Sequence, residues 1–273
     1  MTASTVAAAV SAPALHPVPE RNAVVKEQIA AVSIAIRKEQ WFFLGTLVAF
    51  VILALYSALS GHSGQHGHAN LEYGTAATIP VSLVALLIPF GVWRAGDRER
   101  RAYDWVMPID QSTHTIIRML AGWLWLMAGV ALYLIFLMAT EAVVVLLVGG
   151  SLGIDVPAWQ WLVPFTAASI AYLLTSIPII GSEHPWRWIG GIIIGYAIAL
   201  LVLDIVKLHD LNRALQKVVG GYYGLNAGIF GDVSVRPYRL SEADPSRWLG
   251  ATALWGALAI VGVWLAARRH STS

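Results

Sequence analysis

Six uncharged apolar runs, each about as long as a bilayer is thick, constrain the fold more than any other feature of the sequence. The runs are 41–60, 75–93, 119–140, 161–181, 188–203 and 248–267. A helix needs about 20 apolar residues to cross the hydrocarbon core, and the membrane offers no water to an open backbone. The runs therefore predict an all-α integral membrane protein with six transmembrane helices in a domain at 41–269.

The composition agrees with this class and excludes several functions. Hydrophobic residues make up 57% of the chain and charged residues 12%, whereas soluble domains have about a quarter of their residues charged. The net charge of +2 gives no basic surface for nucleic acid. With no Cys there is no disulfide, thiolate metal site or iron–sulfur cluster. None of the eight His lies in the middle of a run, which disfavours a membrane haem protein.

The distribution of Lys and Arg predicts the orientation. Short cytoplasmic loops carry an excess of Lys and Arg. Most of these residues fall on the N-terminal side of the membrane, and the short loops around 61–74 and 148–160 have none. We therefore predict that both termini are cytoplasmic.

The region before the first run has two parts. Residues 1–20 are rich in Ala, Ser and Pro and lack the basic and apolar parts of a secretory signal, so we expect a disordered tail. In residues 21–40, apolar side chains recur on one helical face at Val25, Ile29, Val32 and Ile36. This spacing predicts an amphipathic helix in the membrane interface, with a soluble extension of the first span as the alternative.

The segment 207–246, between the fifth and sixth runs, is too long and too polar for a simple turn. It begins with a helix-like pattern that breaks at Gly220-Gly221. We predict a small structured cap on the outer face.

Two further features carry side chains that could bind a metal or a proton. His62, His66 and His68 cluster in one loop, but no carboxylate or Cys accompanies them at a defined spacing, so we favour a solvent loop over a metal site. Glu141 follows about 22 apolar residues, and we favour a position at the outer interface over a proton relay or substrate contact within the membrane.

The segment from Arg94 to Arg118 is a dense charged insert between the second and third runs, with five Arg and four acidic residues. Pro108 would end a helix begun at Asp97, and Asp110, Ser112 or Thr113 could cap the helix that leads into the third run. Composition alone favours an ordinary charged loop that obeys the positive-inside rule. A docking site for a soluble partner is the alternative.

The sequence lacks the common motifs of nucleotide-binding proteins and hydrolases. It has no GxxxxGK[ST], no HExxH, no GxSxG and no paired-carboxylate pattern. We therefore expect no enzymatic activity, no catalytic residue, no metal and no cofactor. Any energy input must come from another chain.

Two runs of residues carry a family resemblance. DRERRAYDWVMPID at 97–110 is followed by IIRMLAGWLWL at 116–126, where the third span begins. With six spans and an N-terminal interfacial helix, this arrangement resembles the membrane-spanning permease subunits of bacterial type-2 ATP-binding-cassette exporters. In that family an acidic and basic run precedes a Leu-Pro-Val or similar turn, here Met107-Pro108-Ile109, and an apolar stretch then enters the membrane, here 119–122.

The resemblance implies that 94–118 acts as a coupling loop that fits a groove on a cytoplasmic ATPase subunit. The residues implied to contact that subunit are Asp97, Arg98, Glu99, Arg101, Asp104, Pro108 and Ile109. It also implies a second permease copy, as a homodimer or with a paralogue, and a place in the inner or plasma membrane of a prokaryote.

Two other classes remain open. A structural or assembly subunit of a larger membrane complex would explain the many Trp, the small residues in the fifth and sixth runs and the uncharged spans. A secondary transporter would show inverted repeats and interrupted spans with buried ion ligands. Pro164 and Pro178 are expected to interrupt the fourth span, and no internal repeat pairs it with another span.

Overall fold

The computed structural model describes residues 21–38, 45, 48, 52, 68–70, 75–94, 111–148, 151–153, 157–182, 184–230 and 244–270. Its helices are α1 (Arg21–Lys38), α2 (Thr75–Arg94), α3 (Gln111–Val148), α4 (Val163–Gly181), α5 (Pro185–Ile205), α6 (His209–Gly220), α7 (Leu225–Phe230) and α8 (Pro245–His270). A 3-10 helix at Ala158–Leu162 leads into α4, and strands β1 (His68–Asn70) and β2 (Ser151–Gly153) pair in parallel. The predicted tail at 1–20 and nearly all of the first predicted span lie outside these residues.

Four helices of the described part are long and apolar enough to cross a membrane. Their apolar stretches are Ser112–Thr140, Ala158–Gly181, Pro185–Ile205 and Pro245–Arg269, at the third to sixth predicted spans. At the second predicted span, α2 has a shorter apolar stretch, Pro80–Trp93. The prediction of a largely helical chain with the character of a membrane protein is confirmed.

Successive long helices run in opposite directions, so the bundle has two ends. At the insert end, where α2 ends and α3 begins, Phe90 stacks on Trp186 with 4.1 Å between ring centroids. At the cap end, where α6 and α7 lie, Trp159 packs against Trp248 at 5.3 Å. The pairing of β1 with β2 at the cap end brings the predicted loops 61–74 and 148–160 together.

The helix α4 runs unbroken through both of its prolines, so the prediction that they interrupt the span is wrong. Pro164 lies in the first turn of α4. Backbone N–H groups in the first turn have no acceptor within the helix, so the N–H that proline lacks is not needed there. Pro178 lies near the C-terminal end, and Ser182 Oγ donates to its carbonyl at 2.8 Å. The unbroken α4 does not provide the interrupted span that a secondary transporter would show.

The predicted N-terminal helix is present as α1, but protein covers its apolar stripe. Val32 is 1% exposed, and Ile29 and Ile36 pack against the same core. Only Val25, near the start of the stripe, is exposed. The stripe therefore docks α1 on α2 and α3, which are its neighbours in the bundle.

The core of the bundle lies around α4. Ala167, Ala168, Tyr172 and Ser176 on this helix are completely enclosed. The helix packs against α2, α3, α7 and α8. Small side chains let these helices approach closely, as is usual for helices that pack within a membrane.

Candidate functional site at the base of the charged insert

The residues predicted to contact an ATPase all lie between 95 and 110, outside the described residues. They are Asp97, Arg98, Glu99, Arg101, Asp104, Pro108 and Ile109. The structure does describe the two helices from which this segment emerges. Helix α2 ends at Arg94, and α3 begins at Gln111, so the predicted cap candidates Ser112 and Thr113 lie inside the helix. The last part of the insert is therefore the first two turns of α3.

Arg118 fastens the start of α3 to the end of α2. Its Nη2 donates a hydrogen bond of 2.7 Å to the Val92 carbonyl, and its Cζ lies 5.1 Å from the centroid of the Trp93 ring. Val92 is in the last turn of α2, where carbonyls lack helical partners and the helix dipole is negative. A charge-assisted hydrogen bond to such a carbonyl is among the stronger kinds. The buried Arg118 thus holds the two ends of the insert together.

Tyr172 joins α4 to the same part of α3. It is fully buried, and its hydroxyl donates to the Met119 carbonyl at 2.9 Å. Gly122, one turn further along α3, has no room for a Cβ because the Tyr172 hydroxyl and the Val92 side chain occupy that space. The core helix α4 is therefore in close contact with the base of the insert.

The helix α1 reaches this site through Gln28. Gln28 Nε2 lies 2.8 Å from His114 Nε2, within the first turns of α3. An amide nitrogen can only donate, so the histidine nitrogen accepts this hydrogen bond. With this contact, three helices are attached to the first three turns of α3.

The polar contacts at the base of the insert join neighbouring helices. Gln28, Arg118 and Tyr172 each bind a backbone or side-chain group of a neighbouring helix. Across the described residues no group of three or more His, Asp and Glu side chains is placed to hold a metal. What the geometry offers is a firm joint between the insert and the bundle.

The remaining candidates lie toward the cap end. Glu141 falls within α3, directly after the apolar stretch that ends at Thr140 and before the end of the helix at Val148. His68 is in β1, while His62 and His66 lie outside the described residues. The prediction that the cap helix breaks at Gly220-Gly221 is confirmed, because α6 ends at Gly220.

A polar cluster at the start of α8 ties this helix to the loop before α7. Asp244 Oδ1 accepts from the Ser246 amide at 2.9 Å and from the Ser246 hydroxyl at 2.7 Å, and its Oδ2 accepts from the Tyr222 hydroxyl at 3.1 Å. The hydrogen bond from the Ser246 side chain holds the pKa of Asp244 below its ordinary value. The same carboxylate raises the pKa of Tyr222. Arg247 Nε completes the cluster with a bond of 2.6 Å to the Tyr222 carbonyl.

Sequence reasoning missed Gln28, Gly122 and Tyr172. A tyrosine in the middle of an apolar run must find a partner for its hydroxyl, so Tyr172 carried a usable signal. Gln28 and Gly122 carried none, because their roles depend on which helices meet.

Comparisons with protein-family models, with curated proteins and with solved structures find no match for this chain.

Proposed function

We propose that this chain is the membrane-spanning permease subunit of an ATP-binding-cassette exporter, driven by ATP hydrolysis in a separate cytoplasmic ATPase subunit. The observation that carries the proposal is the joint at the base of the insert. A charged segment emerges from two antiparallel helices, and the bond from Arg118 to the Val92 carbonyl holds those helices together.

This joint would turn a push on the insert into movement of the bundle. If α2 and α3 were free of each other, each could yield separately when a partner pressed on the segment between them. With Arg118 and Tyr172 in place, α2, α3 and α4 would move as one body. The 38 residues of α3 make a helix about 57 Å long, which extends from the insert end to the cap end.

In this proposal the insert is the contact with the ATPase, through Asp97, Arg98, Glu99, Arg101, Asp104, Pro108 and Ile109. A second permease copy completes the translocation path. The first span is 41–60, both termini are cytoplasmic, and the complex lies in the inner or plasma membrane of a prokaryote. The segment around α6 and α7 lies on the outer face.

Co-purification with the ATPase tests the proposal. A tagged chain is extracted from host membranes, and its partners are identified and quantified by mass spectrometry. We expect a P-loop ATPase with the unchanged chain and with a control, Lys207→Glu, at an exposed position on the opposite end of the bundle. Arg101→Glu should reduce its recovery more than ten-fold, because a reversed charge at an interface costs several kcal/mol. Equal recovery with Arg101→Glu, or no ATPase with any of these chains, would contradict the proposal.

A structural subunit of a larger membrane complex is the second candidate, and α5 favours it. No residue of α5 is buried, and a Cβ at Gly190, Gly191 or Gly195 would meet only open space. Such a helix has room for other membrane helices to pack on it. The same purification separates the two candidates, since haem proteins or respiratory subunits without an ATPase would favour the structural role.

A further inference from the structure

The helices α5 and α6 form a hairpin. They are joined at residues 206–208, where Lys207 has a φ of 60°, a left-handed conformation that is uncommon for lysine. The Tyr196 hydroxyl, within α5, donates to the Leu215 carbonyl of α6 at 3.4 Å. Tyr196 is about 14 Å before the end of α5, and Leu215 is about 9 Å after the start of α6. A tyrosine side chain could not close that gap if the helices diverged at a right angle, so α6 folds back along α5.

The surface of α6 divides into three sectors. One sector contacts the protein, with Asn212 buried and Leu215 and Val219 partly buried beside it. A second, which we call the apolar sector, consists of the exposed side chains Leu211, Ala214 and Val218. A third, which we call the cationic sector, consists of the exposed Arg213 and Lys217. The one acidic residue of the helix, Asp210, lies next to the cationic sector.

We propose that α6 binds lipid at the bilayer interface, with its apolar sector among acyl chains and its cationic sector against the phosphates of anionic phospholipids. This inference stands apart from the transport function. An amphipathic helix with an apolar face and a basic face is the form that binds membrane interfaces. The position of α6 in the fold and its charge indicate that lipid is the occupant.

The position follows from continuity with α5. Because α5 is long and apolar enough to span a membrane and α6 starts within four residues of its end, α6 begins at the membrane surface. Because α6 runs back along α5 as far as Tyr196, it lies beside the last part of the span rather than out in water. Its apolar sector also continues an exposed apolar surface at the turn, where Ile205 is 69% and Leu208 50% exposed.

The charge complements an anionic surface. Arg213 and Lys217 project from one side of α6 against a single carboxylate, Asp210, so the helix presents an excess of positive charge. Long basic side chains can lay their stems on the apolar boundary and extend their charges to the phosphates. Lysine and arginine near an anionic surface each strengthen binding about five-fold.

The depth of each sector can be measured with spin labels, because the chain contains no Cys. Leu211→Cys and Val218→Cys label the apolar sector, and His209→Cys, at the start of α6 on the membrane surface, is the control exposed to water. Each is reconstituted in vesicles of phosphatidylcholine and phosphatidylglycerol, and power saturation compares collisions with oxygen and with a water-soluble nickel chelate. Oxygen should dominate at 211 and 218, and the nickel chelate at 209.

Two results would overturn the proposal. If the labels at 211 and 218 meet the nickel chelate as readily as the label at 209, the apolar sector faces water. If they are shielded from both reagents and show spin–spin broadening, a second copy of the chain covers it.

The proposed binding of anionic phospholipid by the cationic sector is tested by measuring which lipids stay bound to the protein. The ratio of phosphatidylglycerol to phosphatidylcholine that stays bound is measured by native mass spectrometry. Replacing both cations, Arg213→Gln with Lys217→Gln, should lower this ratio about five-fold for each charge removed. Asp210→Asn, a change of similar size and opposite sign, should raise it. An unchanged ratio in the double variant would show that the cationic sector does not bind anionic lipid, whatever the chain transports.

Discussion

Helices α4 and α5 follow each other along the chain, and both are long and apolar enough to span a membrane, yet their packing is opposite. In α4, 56% of the apolar stretch is buried, whereas none of α5 is. The less apolar of the two is the one in the core. Acyl chains are as apolar as Leu, so apolar character alone does not draw helices together within a bilayer.

What distinguishes α4 is the fit of its small and polar side chains. Ala167, Ala168 and Ser176 allow close approach, and the Tyr172 hydroxyl finds a carbonyl on α3. On α5 the exposed surface combines large side chains such as Ile192 and Ile193 with glycines that no described helix contacts. The contrast indicates that contacts of α4 hold the bundle together, while α5 is joined to α6 and leaves its surface open to lipid or to other membrane helices.

Truncating one large side chain on α4 and one on α5 should give the largest difference in the free energy of unfolding between the two helices. Tyr172→Ala removes a fully buried ring and its hydrogen bond and should lower the free energy of unfolding by about 3–5 kcal/mol. Ile193→Ala removes a side chain that is 64% exposed, and the change should stay within about 0.5 kcal/mol. Denaturant unfolding in detergent micelles measures both. Equal losses would mean that α5 is packed in the folded protein as α4 is.

Arginine substitutions test the same contrast at the insert end. Arg118→Leu removes the bond to the Val92 carbonyl and should cost about 1.5–3 kcal/mol, since the arginine is buried. Arg187→Leu, at the exposed start of α5, should change the free energy of unfolding by less than about 0.5 kcal/mol. The same unfolding assay applies. If Arg118→Leu were as mild as Arg187→Leu, the joint beneath the insert would not be a stabilising contact.

Glycine substitutions should give effects of opposite sign. At Gly122 a Cβ would meet the Tyr172 hydroxyl, which cannot move away because it is buried and hydrogen-bonded, so Gly122→Ala should destabilise by about 1–3 kcal/mol. At Gly191 a Cβ meets only open space, and Gly191→Ala should stabilise by up to about 1 kcal/mol through helix propensity. Thermal unfolding of the two variants side by side gives the signs. Destabilisation by Gly191→Ala would show that a partner helix occupies that face.

The sequence was a good guide to the helices and a poor guide to their packing. Apolar runs predicted the helices at α2 to α5 and α8, because crossing a membrane imposes length and composition on each run separately. The break after α6 followed from a local glycine signal. The joint at Arg118 could not be predicted, because it depends on which carbonyl the folded bundle places beside this arginine. The unbroken α4 shows the same limit, since the cost of a proline depends on the turn in which it lies.

The smallest expected effect concerns an exposed polar contact, the counterpart of the buried ones on α4. Because the Ser246 hydrogen bond lowers the pKa of Asp244, its carboxylate stabilises the folded state fully above the ordinary pKa of Asp, about 3.9. That contribution is lost as the pH falls through the lower pKa of the folded state. Asp244→Asn can still cap α8 but does not titrate. We expect the unchanged chain to unfold at a slightly higher temperature than the variant at neutral pH, and the two to converge in acid. A difference that persisted unchanged in acid would mean that the charge of Asp244 does not contribute, and that the contact stabilises α8 only as a neutral cap.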